Sequence, residues 1–418
     1  MNPARPKLSI CMPTYNRADY LEAAFAAIFN DDAAADLSFE LVVSDNHSTD
    51  ATPAVIARWA QAHPEIRSVR QPRNVGYIDN YLSVHRLALG EYTVYLADDD
   101  RLDFAGLGKV IAFLDENPDV ACAQTPWELW EVLDVGPVKD FYSLPEMRRF
   151  SKTNTIELLN MIIVSHIFPE ICVWRTAPMQ KIFIAPFRAF FFFVHLANIL
   201  EHGDVVFLPQ HFYRSVGVHP GLTPRVAAGA LDVMNNRDAY EGGLQYLALR
   251  CFQYVGHASI PQEHLPVLRD MIRTFMDNRL IAASEMLVAS NGWYRASAEF
   301  LIRRRAAGLL PDDLAAELGY LPGQAALEAF LEVFSGMPTL RSIGVTGFAD
   351  ALAVRERLLQ MRGDAPVHIM PSPEAEALDP ALMLLLAGPD ADRQALIDRG
   401  HLPGLILREA DIARLFRF

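Results

Sequence analysis

Three consecutive carboxylates, Asp98, Asp99 and Asp100, directly follow an apolar run of strand-forming residues at positions 92–96. A buried strand that ends in acidic residues places their charge at the carboxyl edge of a sheet, where open α/β folds bind their ligands. Neighbouring carboxylates repel each other unless a cation lies between them, and a hard divalent metal suits such oxygen ligands. Asp98 and Asp100 are therefore candidate ligands of a metal that also holds a diphosphate. The alternative is a solvated acidic turn.

Alternating strand and helix patterns surround this acidic turn and predict a mostly parallel sheet. Apolar runs predict strands at residues 8–12, 39–44 and 66–71, and apolar residues at helical spacing predict a helix after each of them. Short links between such elements favour right-handed crossovers between parallel strands. Because polar residues follow each predicted strand, four loops should meet in one cleft at the same edge of the sheet.

Five motifs occur in these polar loops. They are Pro13-Thr14-Tyr15-Asn16-Arg17, Ser44-Asp45-Asn46-His47-Ser48-Thr49-Asp50, Arg73-Asn74-Val75-Gly76, Asn80 and Leu96-Ala97-Asp98-Asp99-Asp100. Their order and spacing resemble family 2 glycosyltransferases of the GT-A fold, a nucleotide-diphospho-sugar transferase fold, over about residues 1–220. The resemblance implies transfer of a sugar from a nucleoside diphosphate sugar, with UDP as the expected nucleotide, to an acceptor hydroxyl. It also implies inversion at the transferred carbon and a Mn²⁺ or Mg²⁺ cofactor.

The resemblance assigns the nucleotide site to particular residues. Thr14 and Tyr15 would line the pocket for the base and ribose, and Asp45 would accept a hydrogen bond from the base. Arg73 and Gly76 would lie beside the nucleotide, where the glycine allows close approach of the backbone. Taken alone, Thr14 and Tyr15 would also fit a strand-to-helix turn, and Asp45 a helix cap. The other expected donor contacts are Pro13, Asn16, Arg17, Asn46, Asn80 and Asp99.

The same resemblance places Asp98 near the ribose or the donor sugar. Asp100 would bind the metal that bridges the two phosphates and neutralises the leaving diphosphate. Relatives often carry a Tyr-Arg pair, followed by a histidine, in a loop over the donor. Residues 209–221 of this chain are predicted to form that loop, with Arg214 at a phosphate and His219 as a further metal ligand.

The general base is the point at which the chain departs from the family. Many relatives have an acidic residue near the position of the apolar run 190–198, but this chain has no carboxylate between Glu170 and Glu201. An inverting transfer needs a base within hydrogen-bond reach of the acceptor hydroxyl. His195 is the nearest candidate in the sequence, and His166 and Glu170 are alternatives. His195 would equally fit a core histidine on an apolar helix.

The rest of the chain predicts three domains: residues 1–225 form the GT-A domain, 226–336 a helical region and 337–418 a small Rossmann-like α/β module. Within the first domain, residues 127–154 carry aromatic residues, charges and prolines and are expected to form an irregular excursion on the acceptor side. The final module lacks a complete dinucleotide fingerprint. It is expected to bind a partner or to form a homo-oligomer.

Composition limits the partners. The chain has 418 residues and a net charge of −14, with 51% hydrophobic and 21% charged residues, as in an ordinary soluble globular protein. The negative charge argues against non-specific binding to nucleic acid, which requires neutralised phosphates. It does not exclude an anionic small substrate, because a metal and a few arginines can reverse the field in a cleft.

The cysteines and the N-terminus bear on the expected location of the protein. No two of the four cysteines form a CxxC pair, so buried free thiols are expected. The N-terminus has no basic and apolar signal region, and polar residues interrupt the apolar stretch 182–208. We therefore expect a cytoplasmic protein and leave peripheral contact with the inner face of the membrane open.

The function expected from these observations is a metal-dependent glycosyltransferase that acts in bacterial cell-envelope polysaccharide or glycoconjugate synthesis. Its acceptor could be a carbohydrate, a lipid-linked molecule or a protein. A nucleotidyl-sugar pyrophosphorylase is disfavoured, because residues 13–17 are not a basic glycine-rich loop. The alternative from another class is a catalytically inactive GT-A domain that binds a sugar nucleotide or acts as a scaffold.

Overall fold

The computed structural model of the chain describes residues 5–133, 135–184, 189–222, 237–289 and 293–418. The chain forms two compact units, Met1–Met276 and Asp277–Phe418. The predicted boundary between residues 225 and 226 lies outside the described residues, and the division into three domains stays a prediction. None of the described helices has the length and the apolar composition needed to cross a lipid bilayer.

Twelve strands lie in the described part of the first unit. They are β1 (Leu8–Thr14), β2 (Phe39–Asp45), β3 (Ile66–Arg70), β4 (Tyr92–Tyr95), β5 (Arg101–Leu102), β6 (Val120–Gln124), β7 (Glu128–Val132), β8 (Lys139–Asp140), β9 (Arg148–Phe150), β10 (Cys172–Arg175), β11 (Asp204–Phe207) and β12 (Tyr213–Val218). Eight of them form a large sheet of order β3-β2-β1-β4-β10-β6-β11-β9. Its strands are parallel except β10 and β9, which run antiparallel to their neighbours. The predicted, mostly parallel α/β sheet is confirmed.

Helices cover both faces of this sheet. Alternate residues of a strand point to opposite faces, so Cys11 and Val42 pack against Val84, whereas Ile10 and Val43 lie in the main core. Burial on both faces explains the near-continuous apolar runs of the parallel strands. The helices are α1 (Ala18–Phe29), α2 (Asp32–Ala35), α3 (Thr52–Ala62), α4 (Tyr77–Arg86), α5 (Phe104–Glu116), α6 (Thr155–Val164), α7 (Thr176–Ile182), α8 (Phe191–Ile199), α9 (Arg237–Tyr254) and α10 (Leu265–Ala289), the last with residues in both units.

A second sheet, of order β5-β12-β7-β8, occupies segments that the sequence predicts to be irregular. Residues 127–154 contain β7, β8 and β9, and the predicted loop 209–221 contains β12. Both predictions are wrong for the same reason. These strands are short, and most of their partners are distant in the chain: β12 pairs with β5 and β7, and β9 pairs with β11, whereas β7 and β8 form a local pair. All four cysteines are buried and free, as predicted.

The second unit contains a four-stranded parallel sheet of its own, which confirms the predicted α/β module. It consists of β13 (Ser342–Thr346), β14 (Val367–Ile369), β15 (Met383–Ala387) and β16 (Ile406–Arg408), in the order β14-β13-β15-β16. A β-carbon on Gly388 would lie 2.2 Å from the carbonyl oxygen of Gly347, so the loops after β13 and β15 pack directly on each other. The helices are α11 (Tyr294–Ala306), α12 (Asp312–Glu317), α13 (Leu321–Gly336), α14 (Ala351–Met361), α15 (Pro373–Glu376), α16 (Arg393–Asp398) and α17 (Glu409–Arg414).

A buried carboxylate holds the amino-terminal end of the large sheet together. Glu40 on β2 is 7% exposed. Its Oε1 accepts hydrogen bonds from the Ser9 hydroxyl and the Leu89 amide, both at 2.6 Å. Its Oε2 accepts one from Arg67 Nε at 3.0 Å. One side chain thereby joins β1, β2, β3 and the segment that leads into β4, and a buried charge with this many partners is costly to remove.

We predict that Glu40→Ala lowers the free energy of unfolding by about 3 kcal/mol, because it leaves the Ser9 hydroxyl and the Leu89 amide without a buried acceptor. Urea unfolding of the full chain measures the change. Glu65→Ala, at an exposed position, is the matched control and should shift the value by no more than about 0.5 kcal/mol. Equal effects of the two substitutions would contradict this role for Glu40.

Candidate active site

The carboxyl ends of three neighbouring strands bring the first predicted motifs together. Strand pairing sets Thr14 beside Asp45 and Cys11 beside Tyr95. The residues that follow β4 therefore emerge next to the end of β1. The Thr14 hydroxyl donates a hydrogen bond to Asp98 Oδ2 at 2.8 Å. This contact joins the first and the last of the predicted motifs inside the protein.

Asp45 lies at the end of β2 and is almost fully buried, with 2% of its surface exposed. Its Oδ1 accepts a hydrogen bond from the Ser48 amide at 2.9 Å. Its Oδ2 is buried, accepts no hydrogen bond within the described residues and lies 3.4 Å from Arg70 Nε. A buried polar atom without a hydrogen bond carries a desolvation cost. A ligand that donates a hydrogen bond to Oδ2 would remove this cost.

Two asparagines hold the loops around Asp45 in place. Asn46 donates to the Asn74 side chain at 3.0 Å and accepts from the Val75 amide at 2.8 Å. Asn16, with φ of 51°, accepts from the Thr49 amide at 2.8 Å. Asparagine tolerates this left-handed conformation better than most residues do. Both predicted donor contacts are therefore engaged with neighbouring loops.

The other predicted nucleotide contacts differ in exposure. Tyr15 is 42% exposed and Arg73 is exposed, so both side chains are accessible to a ligand. Asn80 is buried, and its amide donates to the Ser44 carbonyl at 3.0 Å. The remaining predicted contacts are Pro13, Arg17 and Gly76. Pro13 pairs with Ser44 in the sheet, and the Arg17 guanidinium lies 5.0 Å from the centre of the Tyr20 ring. Gly76 has φ of 85°.

Strand β12 supports the acidic turn from the second sheet. The Tyr213 hydroxyl donates to Asp100 Oδ2 at 2.7 Å, and the Val216 amide donates to Asp100 Oδ1 at 2.8 Å. The Tyr213 hydroxyl also accepts from the Ala97 amide at 3.2 Å. Burial, followed by the Asp100 charge, raises the pKa of Tyr213 well above its ordinary value. The phenol therefore stays protonated and keeps donating to Asp100.

His219 and Arg214 have partners other than the predicted ones. The His219 ring lies edge-on to Tyr20, and its Nε2 lies 2.6 Å from the Asp99 carbonyl oxygen. Since a carbonyl only accepts, Nε2 carries the proton, and Nδ1 is the nitrogen whose lone pair could bind a metal. Arg214 Nε lies 3.2 Å from Glu128 Oε2, so its predicted phosphate contact would compete with an ion pair.

The acidic turn fits a shared cation and does not fit a cage made by the protein alone. Asp98, Asp99 and Asp100 are each less than 10% exposed, and carboxylate oxygens suit Mg²⁺ and Mn²⁺. In the part of the chain that the structure describes, no three histidine, cysteine or acidic side chains are arranged to hold a metal. Mg²⁺ is commonly held by one or two carboxylates together with substrate phosphates. Asp98 and Asp100 match that pattern.

The structure places His195 in the hydrophobic core, where it cannot contact an acceptor. Its ring is fully buried, stacks on Phe183 at 4.2 Å and has Nε2 3.3 Å from the Ile184 carbonyl oxygen. Burial lowers the pKa of His195 to about 4. The prediction of His195 as the general base is therefore not supported, and the core alternative describes the observed position.

The two alternatives to His195 lie at either end of one short loop. His166 follows α6, and its ring packs against Phe275 at 4.1 Å between ring centres. Glu170 lies two residues before β10, which lies between β4 and β6 in the sheet. Among the three candidates, only Glu170 is a carboxylate at the sheet edge that carries the acidic turn.

Sequence analysis missed two residues of this site. Arg70 is the ion-pair partner of Asp45, and Tyr213 donates to Asp100. Arg70 is the last residue of β3, and its polar side chain near the end of a predicted strand could have indicated a role in the cleft. Tyr213 was assigned to a loop, and its role depends on the pairing of β12 with β5, which the local sequence does not show.

Comparison with known proteins supports the resemblance of the motifs. Residues 9–170 match the family model described as glycosyl transferase family 2, which confirms the predicted resemblance for this part of the chain. Abequosyltransferase RfbV of Salmonella typhimurium is 35% identical over 114 residues, which cover 27% of this chain and 34% of the relative. The Campylobacter jejuni protein named GalNAc(5)-diNAcBac-PP-undecaprenol beta-1,3-glucosyltransferase is 35% identical over 23% of this chain and 31% of the relative. The chain spans about a third of the length of these two relatives.

Solved structures show a weaker similarity. Mannosyltransferase PcManGT from Pyrobaculum calidifontis, in complex with GDP-Man and Mn²⁺, is 17% identical with a TM-score of 0.42. The match covers 80% of this chain and 88% of that chain.

The buried state of His195 predicts an acid-sensitive contribution to stability. The folded-state pKa of about 4 lies below the ordinary value of 6.5, so the unfolded chain binds the proton first as the pH falls. The contribution is present above pH 6.5 and is lost as the pH falls toward 4. His195→Phe should therefore reduce the loss of unfolding free energy between pH 7 and pH 5 by about 2 kcal/mol.

Urea unfolding at the two pH values measures this difference. His202→Phe, at an exposed position, controls for the loss of a histidine as such. An unchanged pH dependence in His195→Phe would show that the imidazole is not buried in its neutral form.

Proposed function

We propose that this chain, whose residues 9–170 match glycosyl transferase family 2, transfers a sugar from a nucleoside diphosphate sugar to an acceptor hydroxyl. The observation that carries the proposal is the hydrogen bond between Thr14 and Asp98. It joins the loop after β1 to the acidic turn after β4, so a nucleotide held by the first loop would direct its phosphates to the second.

The state of Asp45 supports a uracil base. Ser48 already donates to Oδ1, and Oδ2, which lies 3.4 Å from Arg70 Nε, accepts no hydrogen bond within the described residues. Uracil presents a single N–H between two carbonyls, whereas guanine presents two adjacent N–H groups that would need both oxygens. The exposed rings of Tyr15 and Tyr77 offer aromatic faces to a base. UDP is therefore the expected nucleotide.

The carboxylates of Asp98 and Asp100 would hold Mg²⁺ or Mn²⁺ together with the diphosphate. When bound, the cation would neutralise the charge that develops on the leaving diphosphate. The protein itself would fix the turn: Thr14 orients Asp98, and Tyr213 with Val216 orients Asp100. A preorganised site of this kind needs little rearrangement when substrate binds.

The acceptor is proposed to be a hydroxyl of a carbohydrate in bacterial cell-envelope polysaccharide or glycoconjugate synthesis. The similarity to an abequosyltransferase and to a glucosyltransferase named for an undecaprenol-linked substrate supports this class. A lipid-linked acceptor would bring the protein to the inner face of a membrane. An inactive nucleotide-sugar-binding protein is the second candidate, because residues 171–200 contain no carboxylate. Donor hydrolysis separates the two.

Isothermal titration of UDP tests the proposal. Wild type should bind UDP at least about tenfold more tightly with Mn²⁺ than with EDTA, because the cation joins two anionic groups. Asp100→Asn should lose most of this metal effect. Asp36→Asn, at an exposed position beyond α2, is the control and should retain it. Equal affinity with Mn²⁺ and with EDTA in wild type would contradict the shared-cation site.

A separate prediction concerns the base. Asp45→Asn should weaken UDP binding by about 10- to 100-fold, since a hydrogen bond to a charged group contributes about 1.5–3 kcal/mol. Titration with GDP should show weaker binding than UDP in wild type. Tighter binding of GDP would reject the assignment of Asp45 to a single base N–H.

A further inference from the structure

We infer that Glu170 is the general base that accepts the proton of the acceptor hydroxyl. This inference rests on the proposed function, and it assigns the catalytic group that the sequence lacks at residues 171–200. The argument uses the pairing of β10, the order of sites along the sheet edge and the charges that face one tyrosine.

Strand pairing fixes the position of Glu170. Antiparallel pairing sets Val173 opposite Val94. The pairing ends at this pair, and Glu170 lies three residues before Val173, just as Ala97 lies three residues after Val94. On the other side, the Thr125 amide donates to the Ile171 carbonyl at 3.3 Å, which ties the start of β10 to the end of β6. We therefore place Glu170 near the acidic turn, at the same edge of the sheet.

The order of strands puts Glu170 on the side of the donor from which the acceptor would approach. Along the edge of the sheet, the order β2-β1-β4-β10-β6 corresponds to the base site at Asp45, the ribose site at Thr14, the acidic turn and then Glu170. An inverting displacement needs the acceptor on the side of the anomeric carbon opposite the leaving diphosphate. Glu170 lies beyond the acidic turn, away from the nucleotide, where such an acceptor would approach.

The charges of Glu170 and of the acidic turn act on the same tyrosine. Burial raises the pKa of Tyr95 well above its ordinary value, and the charges of Asp100, Asp99, Asp98 and Glu170 raise it further. All four carboxylates are thus near enough to act electrostatically on the Tyr95 phenol. Tyr81, which packs on Tyr95 at 5.1 Å between ring centres, also has its pKa raised by burial first and, to a lesser extent, by Glu170.

The two histidine candidates do not meet the geometric requirement. The His195 ring is enclosed between Phe183 and Phe191 and is fully buried. The His166 ring packs against Phe275 and Phe168. A base must come within about 3 Å of the hydroxyl that it deprotonates, and both rings pack against aromatic side chains instead.

The proposed step is a balanced displacement. The acceptor oxygen forms a bond to the anomeric carbon as its proton moves to a Glu170 carboxylate oxygen. The bond between that carbon and the diphosphate oxygen breaks, and the nucleoside diphosphate leaves with the electron pair. Water can take the place of the acceptor, which gives donor hydrolysis and an assay that needs no knowledge of the natural acceptor.

The test compares Glu170→Gln, Glu170→Asp, His195→Phe and wild type as full chains. UDP-glucose, UDP-galactose, UDP-GlcNAc, UDP-GalNAc and UDP-glucuronate are supplied with Mn²⁺, and release of UDP measures hydrolysis. Titration with UDP measures the donor site separately. Glu157→Gln, at an exposed position on α6, is the matched control.

We expect Glu170→Gln to lower kcat by about 100-fold or more, while its affinity for UDP changes less than about threefold. Glu170→Asp should recover at least about tenfold of that loss, because it keeps the carboxylate. His195→Phe and Glu157→Gln should hydrolyse the donor at rates within about threefold of wild type.

Two results would overturn the assignment, and they are distinguishable. If wild type turns over a donor and Glu170→Gln does so within about threefold of it, Glu170 is not the base and the proposed function stands. If wild type binds neither UDP nor any of the donors, both the proposed function and the base assignment fall.

Discussion

The burial of three adjacent carboxylates at the end of β4 is the constraint on which this site depends. Like charges this close are unfavourable in the interior unless other groups compensate them. The described contacts come from two sheets: Thr14 of the large sheet donates to Asp98, and Tyr213 and Val216 of the second sheet donate to Asp100. The second sheet therefore has a purpose beyond packing, since it supplies the donors that hold the acidic turn.

The sheet places the candidate ligand-binding residues in a line along one edge. Parallel strands end at one edge, and the strand order decides which loops are neighbours. Asp45, Thr14, the acidic turn and Glu170 follow one another along that edge, in the order in which a base, a ribose, a diphosphate and an acceptor would be met. The antiparallel β10 is essential to this order, because its start, and not its end, lies at the ligand edge. Glu170, which precedes β10, can therefore lie at the same edge as residues that follow the parallel strands.

The sequence predicted those strands that are marked by an apolar run in their own residues. Strands β1, β2 and β3 begin at the predicted residues 8, 39 and 66, because apolar runs bounded by polar loops mark buried parallel strands. The meeting of the loops that follow these strands in one cleft was predicted from the same logic. The sequence could not show that β12 is a strand, that Tyr213 donates to Asp100 or that His195 is enclosed by aromatic rings. Each of these depends on partners that are distant in the chain, and an apolar helix with one histidine is equally consistent with a core or a cleft.

The measurement that tests the central claim most directly is the anomalous diffraction of Mn²⁺ in crystals grown with UDP. The claim is that the acidic turn and the diphosphate hold one cation between them. We predict a single strong peak in bonding contact with a carboxylate of Asp98 or Asp100 and with the diphosphate, with the uracil beside Asp45. A peak elsewhere on the chain, or UDP bound at the strand ends with no Mn²⁺ at the acidic turn, would contradict it.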